Sequence, residues 1–209
     1  EELGKVVAET IEKIGLDSVV TVEESQAMGI TVEIAEGLKF DKGWLSPFMV
    51  TDIERMEAVY EDIPVIIFDK KINSFSDIKP IMDQFVAKKI STLFLIAEDV
   101  DESVLKGFAF MKFKGLTSVV AIKTPGIGDM KKFCIEDLCA LTGAELWTEQ
   151  STEVKLGKAK KVLSKKDSTI IQSAQDIKTW ITTLRTRRGM TENKWEIDQY
   201  DERIAKLSN

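Results

Sequence analysis

The stretch "STLFLIAEDVDESVLKGFAFMKFKGLTSVVAIKT", Ser91 to Thr124, changes period twice. Its ends, "STLFLIAE" and "LTSVVAIKT", are short continuous apolar runs of the kind that form buried strands. Between them "DESVLKGFAFMKFKG" has helical spacing. At about 100° per residue, Val104, Phe108 and Met111 make one stripe, with Leu105, Ala109 and Phe113 beside it and Phe110 almost opposite. The apolar arc takes up about half the circumference or more, against the ~100° a core-facing helix shows. Two explanations fit that excess: deeper burial, or a surface kept apolar for a partner.

Working outward, "IPVIIFD" (63–69) reads as another buried strand. A helix follows from about Ser74 to Lys88, with the stripe Phe75, Ile78, Met82, Phe85 and Val86 and with Pro80 tolerated near its start. After "LTSVVAIKT" comes the loop "PGIGD" and a helix from Met130 to Leu141. Strand and helix thus alternate over residues 64–142, which predicts an α/β unit with parallel strands joined by right-handed crossovers. Upstream, Val6, Val7, Ile11 and Ile14 mark a helix that Gly15 stops, and "SVVTVEES" and "ITVEIAEG" read as strands. "GLKFDKGWLSPFMV" mixes aromatic residues with Gly and Pro and reads as a loop. Downstream, "AELWTEQ" and "AKKVLSKKDSTIIQS" suggest short strands. "DIKTWITTLRTRR" is an amphipathic helix, and "KWEIDQYDERIAKLSN" spaces Trp195, Tyr200, Ile204 and Leu207 helically. Helical ends around a strand-rich body suggest one domain inserted into another.

Composition narrows the chemistry. With 209 residues, 44% apolar and 31% charged, the chain can build a packed core. Its net charge of −6 argues against a nucleic-acid surface. Histidine is absent, which removes the commonest general base and metal ligand. Cys134 and Cys139, five apart in a helix, sit on opposite sides of a turn, so neither a disulfide nor a zinc site is expected; they read as two buried thiols. No apolar run reaches the ~18–20 residues of a membrane span. The chain opens on Glu1 without an initiator Met or signal peptide and is expected to be a fragment of something longer.

"TPGIGDMKK" has a strand-loop-helix setting, but it lacks a P-loop's Lys-Ser/Thr and the third Gly of a dinucleotide fingerprint. It reads as a tight turn with Asp129 capping the helix. The acidic residues Glu98, Asp99, Asp101, Glu102, Glu196, Asp198, Asp201 and Glu202 read as solvated surface. No self-contained catalytic constellation emerges, and no metal site is expected.

Several motifs together resemble one family. "EGLKFDKGWLSPFMV" is similar to the segment that begins the apical domain of group I chaperonins, the GroEL family. "LIAEDV" (95–100), "VVAIKTPGIGD" (119–129), "LTGAE" (141–145) and "ERIAKL" (202–207) follow in the family's order, over nearly the whole chain. The resemblance implies a chaperonin apical domain, a swivelling β/β/α fold of sheets flanked by helices, over residues 36–175. It would be inserted into a small, mainly helical intermediate domain made of residues 1–35 and 176–209. It also implies capture of non-native polypeptides on an apolar groove that is later ceded to a co-chaperonin mobile loop. Carried over by position, that groove takes Trp44, Phe48 and Met49 from the loop, Met82 from the first helix, and Leu105, Ala109 and Phe110 from the second. Such residues suit non-directional capture of many partners. ATP and Mg, a nucleotide-binding domain and a homo-oligomeric ring would belong to the full-length parent, and the fragment by itself would not hydrolyse ATP. A bacterial cytoplasm is implied, with an organellar matrix or stroma as the alternative.

The sequence also departs from the family. Lys79 stands where the family has Leu, and the segment between Glu149 and Leu156 is short. The upper hinge keeps Gly37, but Gln175 replaces its partner glycine. The carboxylate that activates water for ATP hydrolysis aligns best with Glu196, with Asp198 the other choice. These departures motivate an alternative reading: a divergent paralogue acting as a binding or scaffold protein with little ATP-driven folding. A phosphate-handling enzyme using "PGIGD" is the third reading.

Overall fold

The computed structural model describes residues 37–148 and 155–208. The helix and strands expected within residues 1–35, and most of the shortened segment before Leu156, lie outside the described residues. The chain divides into two units, one of residues 37–177 and the other of 178–209 with 1–36.

In the first unit the run "IPVIIFD" forms the end of a longer strand, β2 (Ala58–Phe68), whose last four residues are all buried. A run of Val-Ile-Ile-Phe covered on both faces is the signature of a central strand. β3 (Thr92–Ala97) lies parallel to it, with Val65 opposite Phe94, and β4 (Ser118–Lys123) lies parallel to β3, with Leu93 opposite Val119. Here the structure agrees with the parallel unit expected over 64–142. On the other flank of β2 the sheet is antiparallel: β6 (Gly157–Ser164), β7 (Thr169–Ser173) and then β1 (Leu38–Phe40). The link between β6 and β7 is a short turn in which Lys165 N–H donates to Ser168 O at 2.8 Å. So short a link permits only antiparallel pairing, because a parallel crossover needs a dozen residues or more. β5 (Leu146–Trp147) pairs with the end of β2. The order is β1-β7-β6-β2-β3-β4, a mixed open sheet flanked by helices. "GLKFDKGWLSPFMV", expected as loop, contains β1 and a one-turn 3-10 helix at Pro47–Met49.

Three helices complete this unit. α1 (Phe75–Ala87) starts at Ser74, and the Asp77 carboxylate reaches back to accept from the Asn73 and Ser74 amides, both at 3.0 Å. It buries Ile78, Ile81, Met82 and Phe85 and leaves Val86 exposed. α2 (Glu102–Phe113) is the helix of the opening stretch, and α3 (Asp129–Thr142) follows the "PGIGD" loop. Asp129 is not the cap expected of it. Gly128 occupies that position without a side-chain bond, and Asp129 is the first helical residue, where its charge complements the helix dipole. Cys134 and Cys139 form no disulfide, as expected, and are half-buried rather than buried.

In the second unit α4 (Lys178–Met190) and α5 (Lys194–Leu207) pack together. Leu184 and Leu207 are buried, and Arg188 makes a two-pronged ion pair with Asp201 at 2.9 and 3.1 Å. The buried Arg203 guanidinium lies 5.9 Å from the Trp180 ring centre and 5.7 Å from that of Tyr200. Such cation–π contacts strengthen when desolvated.

Candidate functional site

α2 begins at Asp101, whose carboxylate accepts from the Ser103 amide at 3.0 Å and the Ser103 hydroxyl at 2.7 Å. Those bonds, the hydroxyl's first, hold the Asp101 pKa below its ordinary value. The helix ends in tight turns in which Gly115 N–H donates to Lys112 O and Leu116 N–H to Met111 O, with Gly115 at φ 68°. Gly107 in mid-helix has a packing reason: a Cβ there would come within 3.1 Å of the Phe75 ring. Without one, Phe75 can approach, and it meets Phe108 edge-on at 6.4 Å between ring centres.

The two apolar surfaces separate as follows. Val104, Phe108 and Met111 are buried. Phe113, expected as a possible partner of that stripe, is 85% exposed: nine residues on from Val104, it points about 180° away from it. Phe110 is 60% exposed, and the Lys114 ammonium sits 5.4 Å from its ring centre. Leu105 and Ala109 are half-buried between the two faces.

Their neighbour is the segment 44–50, which runs along the outer edge of β4. Trp44 bridges Ile122, and Leu45 N–H donates to Ala121 O at 3.0 Å. Trp44 is half-buried, and its ring N–H donates to Met56 O at 3.1 Å. Phe48 at the crest is 66% exposed. Its side of the turn meets α2 in a seam lined by Ser46, Phe48, Met49, Leu105, Phe108, Ala109, Lys112 and Val119, too tight to admit water. From α2, Lys112 Nζ donates to Phe48 O at 2.8 Å and to Val50 O at 3.0 Å. Burial holds the Lys112 pKa below the ordinary lysine value.

Two of the residues expected to offer apolar surface in the groove are buried. Met49 is 3% exposed, and its Sδ accepts the Ala121 amide at 3.2 Å, so it fills the edge of the sheet. Met82 is also 3% exposed, on the core face of α1. The other face of α1 carries Lys79, ion-paired with Asp83 at 2.8 Å. The structure therefore groups Phe48, Leu105 and Ala109 at one seam, with Phe110 next along α2. Sequence reasoning missed Lys112: a lone lysine in a helix gives no sign that its partners are carbonyls more than sixty positions away.

The residues expected at the hinge lie at neighbouring strand ends. Gly37 precedes β1 and has φ 138°. Gln175 follows β7, where its amide N–H donates to Ser173 Oγ at 2.9 Å and its side chain lies against Gly143, just past α3. β1 pairs with β7, so the chain enters and leaves the 37–177 unit at adjacent points. Glu196, in the first turn of α5, accepts a hydrogen bond from the Thr191 hydroxyl, and Asp198 is exposed. Among the described residues no group of three or more His, Cys, Asp or Glu could hold a metal ion. Among them, too, no helix is long and apolar enough to cross a membrane. No protein-family model matches the chain.

Proposed function

We propose that this chain is the polypeptide-binding and intermediate part of a chaperonin subunit resembling the GroEL family. Its 37–177 unit acts as the apical domain. It captures non-native polypeptides on the strip formed by Phe48, Leu105, Ala109 and Phe110, then yields that strip to a co-chaperonin mobile loop. The observation that carries this reading is the exposure of Phe110 on a helix whose opposite face is already fully used by the core. An aromatic ring held in water by a well-capped, rigid helix suits a surface that recognises apolarity rather than sequence. The adjacent ends of β1 and β7 support the insertion of this unit into another domain.

The Glu196 carboxylate accepts a hydrogen bond from the Thr191 hydroxyl. In this reading nucleotide chemistry belongs to other parts of a ring-forming parent, in a bacterial cytoplasm or an organellar matrix or stroma.

The test is binding of a labelled, permanently unfolded polypeptide by the 209-residue chain, together with suppression of a denatured client's aggregation. A chain that does neither is not a polypeptide-capture domain.

One observation favours the scaffold alternative. With Met82 buried and Lys79 paired to Asp83, the solvent face of α1 adds little to the apolar strip, leaving a narrower surface. A subunit specialised for a few partners would bind selected segments but fail to refold a general client with ATP and co-chaperonin. Efficient refolding by the full-length ring would remove that alternative.

A further inference from the structure

We infer that Lys112 is a latch: it holds the 47–50 turn against α2, and thereby sets how much of the Leu105–Ala109 strip an incoming polypeptide can reach. The second half of that statement rests on the capture reading given above; the first half does not.

By itself the turn is weak. It is a single 3-10 turn without a side-chain cap, closed by Met49 N–H to Ser46 O at 3.0 Å and Val50 N–H to Pro47 O at 3.2 Å. Its β4 side is tied down by Leu45 N–H to Ala121 O and by Ala121 N–H to Met49 Sδ. Its α2 side presents the carbonyls of Phe48 and Val50, and there Lys112 meets both with one ammonium.

Three physical features suit lysine to this position. An ammonium carries three donors and so serves two carbonyls at once. Bonds with a charged donor are stronger than neutral ones. A cation in the last turn of a helix is also favoured by the helix dipole. The lysine stem, meanwhile, helps line the apolar seam while its head reaches the turn.

While latched, the seam excludes water, and the strip offers Phe48 and Phe110 with only the outer parts of the half-buried Leu105 and Ala109. Released, the turn keeps its anchors on β4 and pivots about that edge. The inner faces of Leu105 and Ala109 come free, and two carbonyls become available to a peptide's N–H groups. An incoming chain therefore competes with Lys112 for those carbonyls.

The experiment uses Lys112→Met, which keeps the stem and removes the donors, and Lys112→Arg, which keeps the charge. Amide hydrogen exchange is followed by NMR, and affinity is measured for a labelled, permanently unfolded polypeptide. In Lys112→Met, exchange at Met49 and Val50 should rise about tenfold while the β3–β4 amides stay unchanged. In Lys112→Arg it should stay within about twofold of wild type. The Met variant should bind the polypeptide about threefold more tightly, from the newly uncovered apolar surface. Unchanged exchange at Met49 and Val50 overturns the latch. Faster exchange with unaltered or weaker binding overturns its control of the strip. Faster exchange with no binding by wild type or any variant supports the latch and sinks the capture reading instead. If Lys112→Met loosens the whole sheet, Lys112→Gln, with its weaker neutral donor, must give intermediate exchange confined to the turn, and wild-type exchange there overturns the proposal.

Discussion

Replacing Phe110 by Glu separates a core residue from a capture residue. The ring is 60% exposed, so only about two-fifths of the transfer energy of a fully buried Phe is lost from the fold, about 1 kcal/mol. The cation–π contact with Lys114 disappears, worth about 0.5–1 kcal/mol at an exposed site. The new carboxylate would face Lys114 four residues on, returning about 0.3–0.5 kcal/mol. The net cost to folding is about 1–1.5 kcal/mol, which leaves an ordinary domain folded. Binding should suffer more. The variant gives up the full apolar contact of the ring and places a charge where a chain must desolvate it, so polypeptide affinity should fall about thirtyfold or more. Urea denaturation followed by circular dichroism gives the first quantity, and fluorescence anisotropy with a labelled unfolded polypeptide gives the second. Phe108→Glu is the control: that ring is buried among Val104, Met111 and Phe75, and the substitution should unfold the unit. The reasoning is refuted if the Phe110 variant folds and binds as tightly as wild type, or if it unfolds as Phe108→Glu does.

Three other outcomes follow from the geometry. Gly37→Ala should destabilise the 37–177 unit by about 2–4 kcal/mol, because φ is 138° and the added Cβ would lie 2.6 Å from Ile171 O; an unaltered urea midpoint would show that the β1–β7 edge yields freely. The Asp77 carboxyl is held below its ordinary value, chiefly by the Ser74 amide, and Asp99 likewise, chiefly by its hydrogen bond with Lys123. Carboxyls lowered in the folded state stabilise it above their unfolded-state pKa, and that stability is lost as pH falls through the folded values. Stability should therefore decline below about pH 4, less steeply in Asp77→Asn, and an equal slope in the variant would contradict the assignment. Burial pushes the Cys139 thiol up to about 11. Its alkylation at pH 8, mapped by mass spectrometry, should run about a hundredfold slower than that of a free thiol; rapid labelling would show the site open.

Local chemistry made much of this architecture legible. α2 was readable end to end because its start at Asp101, its 3.6-residue apolar spacing and its stop at Gly115 all act within a few residues of chain. β3 and β4 were readable as continuous apolar runs, and helices between consecutive strands forced those strands parallel. The surplus of apolar residues on α2 was also visible, since it depends on the periodicity of one helix. The family resemblance supplied an expectation for that surplus; the structure adds that Phe110 is exposed.

Tertiary structure decided which apolar residues face water. Met49 looks as available in the sequence as Phe110, yet it completes the bonding of β4's edge, whereas Met82 packs in the core with the apolar stripe that periodicity gave α1. The burial of Met49 depends on neighbours brought together by the sheet order, and no local pattern records that order. The pairing of β1 with β7 was equally hidden, because those strands meet across more than a hundred residues. Lys112 shows the same limit at a single side chain. Helix periodicity marks it as polar and near the helix end, while its two carbonyl partners are brought within reach only when the segment before Val50 settles along β4. Sequence alone marked α1 to α5 and the apolar runs of β2 to β4, through forces acting within a turn or two of chain. The choice of which face is buried, bound or latched came from contacts between segments far apart in the chain.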